Sequence, residues 1–150
     1  MGTRNSTLVK LDGELKVAQY GQWDGYPTGQ GKTIQDFLKT VDLPKFKAEV
    51  AKLREMTEEE VKEVEADPNW TTNYPYLSRD AGADVLNMIN EGKVKFLVLD
   101  PDFKDDGLFC EYWYELDLDK ETITMNGRTW TFDEWRNLDL QKLEEEGREE

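Results

Sequence analysis

The sequence predicts an α+β fold: an antiparallel sheet of about five strands, built from an N-terminal hairpin and three C-terminal strands and covered by helices. Three observations lead there. Strand-like segments gather toward the two ends of the chain. Turn dipeptides suited to positive φ stand beside them, at Asp12-Gly13 and Asn126-Gly127. Between them, apolar residues recur at helical spacing.

Leu8-Val9-Lys10-Leu11 and Leu15-Lys16-Val17-Ala18-Gln19-Tyr20 flank Asp12-Gly13, so the chain opens as a β-hairpin. After a glycine-rich stretch, Ile34, Phe37, Leu38 and Val41 mark a first helix. Asp42 and Pro44 read as the cap and first position of a second, which carries Phe46, Val50 and Leu53. Thr57 and Glu60 have capping-box spacing and start a third helix, acidic on its outer face, that runs to Ala66. Trp70, Tyr74 and Tyr76 then crowd an irregular connection around Pro68 and Pro75. Asp80 caps a helix with Val85, Leu86 and Ile89 as its inner stripe and Gly92 as its end. Phe96-Leu97-Val98-Leu99 reads as a central strand. In the next strand Cys110, Tyr112, Tyr114, Leu116 and Leu118 share one face, and Glu111, Trp113, Glu115 and Asp117 the other. Thr122-Ile123-Thr124-Met125 is the last strand, ended by Asn126-Gly127. A final amphipathic helix from near Asp133 carries Trp135, Leu138 and Leu140. Residues 144–150 are charged, with little apolar surface to dock, and are expected to fray.

At 150 residues the chain has the size of one domain, 1–150, with a core that needs no disulfide or metal. Cys110 is the single cysteine, which rules out an intrachain disulfide and suits a reducing compartment. The absence of histidine removes the usual general base, the commonest zinc ligand and every Ser-His or Cys-His pair. A formal charge of −14 repels phosphate backbones and argues against direct nucleic-acid binding. No apolar run is long enough to span a bilayer, so the expected location is cytoplasmic, with no membrane partner. Met1-Gly2-Thr3-Arg4-Asn5-Ser6 fits the myristoylation consensus, but no polybasic second anchor accompanies it. No cofactor is implied, and the oligomeric state is left open.

The unusual feature is Gly21-Gln22-Trp23-Asp24-Gly25-Tyr26-Pro27-Thr28-Gly29-Gln30-Gly31. Gly31-Lys32-Thr33 imitates the end of a phosphate-binding loop. That pattern requires glycine where this chain has Tyr26, and the adjoining Pro27 would disturb the nest of amides. A looser expectation is kept: amides at the start of the Thr33 helix could hold an anion. Two readings of the loop stand side by side. In one, Trp23 or Tyr26 stacks on a ligand ring while Asp24 or Gln22 reads its polar groups. In the other, Asp24-Gly25 is a turn and Trp23 is buried. Arg4 and Asn5, just before the first strand, place a guanidinium at the mouth of this loop, and Arg79 is a further candidate. Asp100, Asp102, Asp105 and Asp106 crowd one loop without EF-hand spacing and read as a solvated turn.

Thr3-Arg4-Asn5, Tyr20-Gly21 and the run from Gln22 to Pro27 followed by Gly29 and Gly31 resemble an uncharacterised family of small phage, prophage and bacterial proteins. Its opening signature reads TR…YxxWDGYPxGxG. Leu77-Ser78-Arg79-Asp80-Ala81-Gly82-Ala83 and the segment from Glu111 to Leu118 are similar to its later parts. The resemblance carries no catalytic residue. It implies an accessory protein that binds and blocks, in the host cytoplasm, with counter-defence as one such role. The expectation is therefore a non-enzymatic protein whose partner is a small, nucleotide-like molecule or a host protein. Its site would be formed by Arg4, Asn5, Gln22, Trp23, Asp24, Tyr26 and Arg79. Two alternatives stay open: an acidic inhibitor of a basic host protein acting through the charged helices, and a carboxylate enzyme using magnesium.

Overall fold

Asp12 and Gly13 adopt φ values of 54° and 74° and close the N-terminal hairpin of β1 (Asn5–Leu11) and β2 (Glu14–Gly21). The computed structural model describes residues 3–77, 81–94 and 110–149. The expected strand at 96–99, the expected cap Asp80, the candidate Arg79 and the aspartates at 100, 102, 105 and 106 lie outside the described residues. Among the described residues three further strands join β1 and β2 in a five-stranded sheet of order β2-β1-β3-β4-β5: β3 (Tyr112–Asp117), β4 (Thr122–Met125) and β5 (Arg128–Thr131). The α+β fold with helices over such a sheet is as the sequence predicts.

Two details differ from the expectation. The sheet is mixed, because β1 runs parallel to β3 in the register Asn5↔Tyr112 to Lys10↔Asp117, while every other pair is antiparallel. A parallel neighbour needs a long crossover, and the helical middle of the chain supplies one. Alternation tells which face a residue takes and leaves the direction of its neighbour undetermined. The second difference is β5, which follows the turn at Asn126 (φ 47°) and Gly127 (φ 91°). Its four residues bury Trp130 alone, too short an alternation to announce a strand.

One apolar row crosses the whole sheet. Val17 pairs with Val9, Val9 with Leu116, Leu116 with Ile123, and Ile123 with Trp130. All are buried, and the helices pack onto this row through their predicted stripes. The described helices between β2 and β3 are α1 (Lys32–Thr40), α2 (Leu43–Ala51), α3 (Glu58–Ala66), α4 (Trp70–Asn73) and α5 (Val85–Asn90), of which α3 and α4 bury no residue. Ile34, Phe37 and Leu38 come from α1, Phe46 and Val50 from α2, and Val85, Leu86 and Ile89 from α5. Phe37 meets Phe46 edge-on with ring centres 4.9 Å apart. Asp42 caps α2 through the Lys45 amide, and Gly92 takes φ 75° just beyond α5. Among the described residues no helix is long and apolar enough to cross a membrane.

The expected last helix is two: α6 (Phe132–Arg136) and α7 (Leu140–Glu149). Thr131 and Glu134 form a capping box that starts α6 right after β5, and Asp139 caps α7 through the Lys142 amide. Helical structure thus continues through the segment expected to fray. Leu140, Leu143 and Glu144 dock it, so its contact with the body is partly polar.

The capping box of α3 forms as its spacing predicts, and Arg54 completes it by gripping both oxygens of Glu60 at 2.6 and 2.7 Å. The guanidinium, followed by the Thr57 amide, lowers the Glu60 pKa to about 2. A carboxylate with a depressed folded-state pKa stabilises fully above its ordinary value and loses that contribution as pH falls through the folded one. The difference in thermal midpoint between wild type and Glu60→Gln is therefore expected to be largest above pH 4.5 and to vanish as pH approaches 2. Paired melting curves across this range check it; a difference that does not change with pH would contradict the ion pair.

Candidate functional site

The loop at 21–31 leaves β2 with Gly21 paired to Asn5. This strand pair needs glycine, since a Cβ at 21 would lie 2.3 Å from Asn5 Oδ1. Asn5 is 0% exposed, and its Nδ2 donates to the carbonyls of Thr3 and Trp23, each at 3.1 Å. Asn5 thus faces inward, where it holds the loop.

From there the main chain is fastened at almost every residue. Gly25 N donates to Thr3 O, Gly29 N to Tyr26 O, and Gln30 N to Asp24 O at 2.7 Å. Asp24 takes φ 54°, a conformation that asparagine and aspartate tolerate better than most residues. Gln30, wedged between two glycines, donates through Nε2 to Trp23 O and accepts the Ala83 amide on Oε1. The Tyr114 hydroxyl donates to Gly25 O at 2.6 Å from the core. Burial, followed by the nearby Tyr112 and Glu144, pushes the Tyr114 phenol well above its usual pKa, so it remains a neutral donor.

Residues Pro27–Gly31 make a π-helical turn that runs into α1. The amides of Thr28, Gly29, Gln30 and Lys32 all have acceptors within the protein. None of these four is open to the anion expected at the start of the Thr33 helix. The negative group there is the chain's own Glu144, whose Oε1 accepts from Thr28 N at 3.2 Å and Thr28 Oγ1 at 2.7 Å. A carboxylate suits a helix start, where unpaired amides and the helix dipole both favour negative charge.

Against this fixed backbone the side chains differ in availability. Trp23 is 46% exposed, which overturns the reading in which it is buried. Asp24 is also exposed, and its Oδ1 accepts from the Tyr26 hydroxyl at 2.9 Å. Tyr26, Gln22 and Arg4 are half-buried, and Gln22 Oε1 accepts from the Tyr20 hydroxyl. The Asn5↔Gly21 pair places Arg4 and Gln22 at the same end of the hairpin, beside Trp23. Gln22, Trp23, Asp24 and Tyr26 thus lie in this one loop, and Arg4 directly precedes the strand residue paired to its start.

The residues that sequence reading missed here are Gln30, Thr28 and Glu144, together with the loop-anchoring role of Tyr114. Tyr114 was visible as an inward residue of β3. Nothing in the order of residues links Thr28 to a glutamate on the last helix. Among the described residues, no group of three or more His, Cys, Asp or Glu is placed to hold a metal ion. In comparisons with protein-family models, curated proteins and solved structures, none matched this chain.

Proposed function

We propose that this chain is a non-enzymatic accessory protein that recognises a nucleotide-like ligand, or a host protein presenting a comparable flat group, through the 21–31 loop. The observation that carries the reading is Trp23: a large indole, 46% exposed, on a loop whose backbone is fixed from both sides. An aromatic surface held in place loses little entropy when a ring stacks on it. Asp24 beside it supplies acceptors for amino groups on the edge of such a ring, and Arg4 supplies a positive charge. The amides of Thr28, Gly29, Gln30 and Lys32 already have acceptors, and this recognition rests on the ring and its edge more than on phosphate. The accessory, counter-defence setting comes from the family resemblance alone.

The test is a titration of intrinsic tryptophan fluorescence with nucleosides and nucleotides, alongside native mass spectrometry of gently purified protein. Trp23→Ala is expected to weaken binding at least tenfold while changing stability by no more than about 0.5 kcal/mol, as befits an exposed side chain. If no nucleotide alters the emission and neither small molecule nor protein travels with the chain, the reading fails.

A second reading rests on α3, which buries none of its residues and carries Glu58, Glu59, Glu60, Glu63 and Glu65. Such a helix suits an acidic inhibitor of a basic host protein. Salt-sensitive binding that is indifferent to Trp23→Ala would favour it.

A further inference from the structure

We propose that α7 is a latch on the recognition loop, closed by Glu144 on Thr28; this rests on the recognition reading for its purpose and stands without it as a conformational device. Most fastenings of the loop come from inside the loop or from the buried sheet and helices: Asn5 and Tyr114 from strands, Trp135 from α6 through its indole N–H to Gly31 O. Thr28 differs. Both its donors leave the loop for a single carboxylate oxygen on the last helix.

That helix is marginal by itself. It has ten residues, below the roughly 12–15 at which isolated helices become stable in water. Its C-terminal half carries Glu145, Glu146 and Gly147, where acidic charge opposes the helix dipole and glycine lowers helix propensity. Its anchors are Leu140, Leu143 and Glu144, all buried, with Glu144 at 8% exposure. The Arg128–Glu146 pair at 3.9 Å is exposed and adds little. Glu144 therefore joins the loop to a helix whose own stability depends on docking. Docking of α7 holds the turn at Pro27–Gly31, and undocking frees both Thr28 donors and loosens the turn that carries Tyr26 and Asp24 into α1. One fastening of the loop is thus set by α7.

Amide hydrogen exchange on the full chain, without ligand, tests this in wild type, Glu144→Ala, Thr28→Val, the double variant and Glu144→Gln. The amides from Thr28 to Gln30 are expected to exchange about tenfold faster in Glu144→Ala and Thr28→Val. The double variant should add nothing to the singles. Glu144→Gln, which keeps an acceptor oxygen, should recover most of the protection, and the β1 and β3 amides should be unchanged in all. Wild-type exchange at Thr28–Gln30 in Glu144→Ala would overturn the latch, as would an equal acceleration throughout β1 and β3, which reports loss of global stability. Because no ligand enters, failure here leaves the Trp23 titration standing, and failure of that titration leaves the latch standing.

Discussion

Trp135→Ala is expected to lower the unfolding free energy by about 3–5 kcal/mol, the largest effect of any single substitution considered. Trp135 is 0% exposed and sits where the helical layer, the sheet and the loop meet. Its ring meets Trp130 of β5 edge-on at 5.2 Å and Tyr114 of β3 at 6.1 Å. Removing the indole deletes both contacts, leaves a cavity in a close-packed interior, and removes the indole donor from Gly31 O. The neighbours cannot close the gap easily: Tyr114 is tied to Gly25 O, and α6 is held to α1 by Gln35 Nε2 on the carbonyls of Trp135 and Leu138. Domains of ordinary stability have about 5–15 kcal/mol in all, so the variant should be close to unfolding at physiological temperature. Urea denaturation measures this as a lowered midpoint at unchanged slope. A loss below 1 kcal/mol would show that the core is not centred on this ring.

Gly29→Ala is expected to cost about 2–3 kcal/mol, the usual range for forcing an extra methyl into a packed site. A Cβ at 29 would stand 2.1 Å from Asp24 O and 2.9 Å from Asp24 C, and backbone cannot step aside as a side chain can. Asp24 O is also the acceptor for Gln30 N, so relieving the clash breaks the bond that closes the loop. The disturbance passes directly to Trp23, one residue before Asp24. The variant should therefore show both a lower melting temperature and weaker ligand binding, whereas Trp23→Ala shows the second alone. Thermal unfolding combined with the fluorescence titration separates them; an unchanged melting temperature would mean that the loop does not hold this shape.

Local chemistry made most of the fold legible. The capping box at Thr57 and Glu60, the Asp42 cap, the positive-φ turn at Asp12-Gly13 and the stripes on α1, α2 and α5 all depend on residues within a few positions of one another. A local reading therefore finds them. β5 escaped because four residues with one buried ring give no period, and the parallel partnership of β1 and β3 escaped because side-chain alternation is the same for either direction. Of the candidate site, the sequence singled out the loop and its aromatic residues. It could not tell that Asn5 faces inward or that Trp23 faces out.

The sequence by itself determined the α+β class, the hairpin, the positions of α1, α2, α3 and α5 and the segment 21–31 as the unusual surface. Each follows from steric and hydrogen-bonding preferences over short stretches of chain. Only the tertiary structure decided which groups that segment keeps for itself. Tyr114 and Glu144 reach it across long sequence separations and take up the Gly25 carbonyl and the Thr28 amide, Gln30 ties it to Ala83, and Trp23 stays 46% exposed. Such contacts are set by the packing of whole elements, and no local preference encodes them.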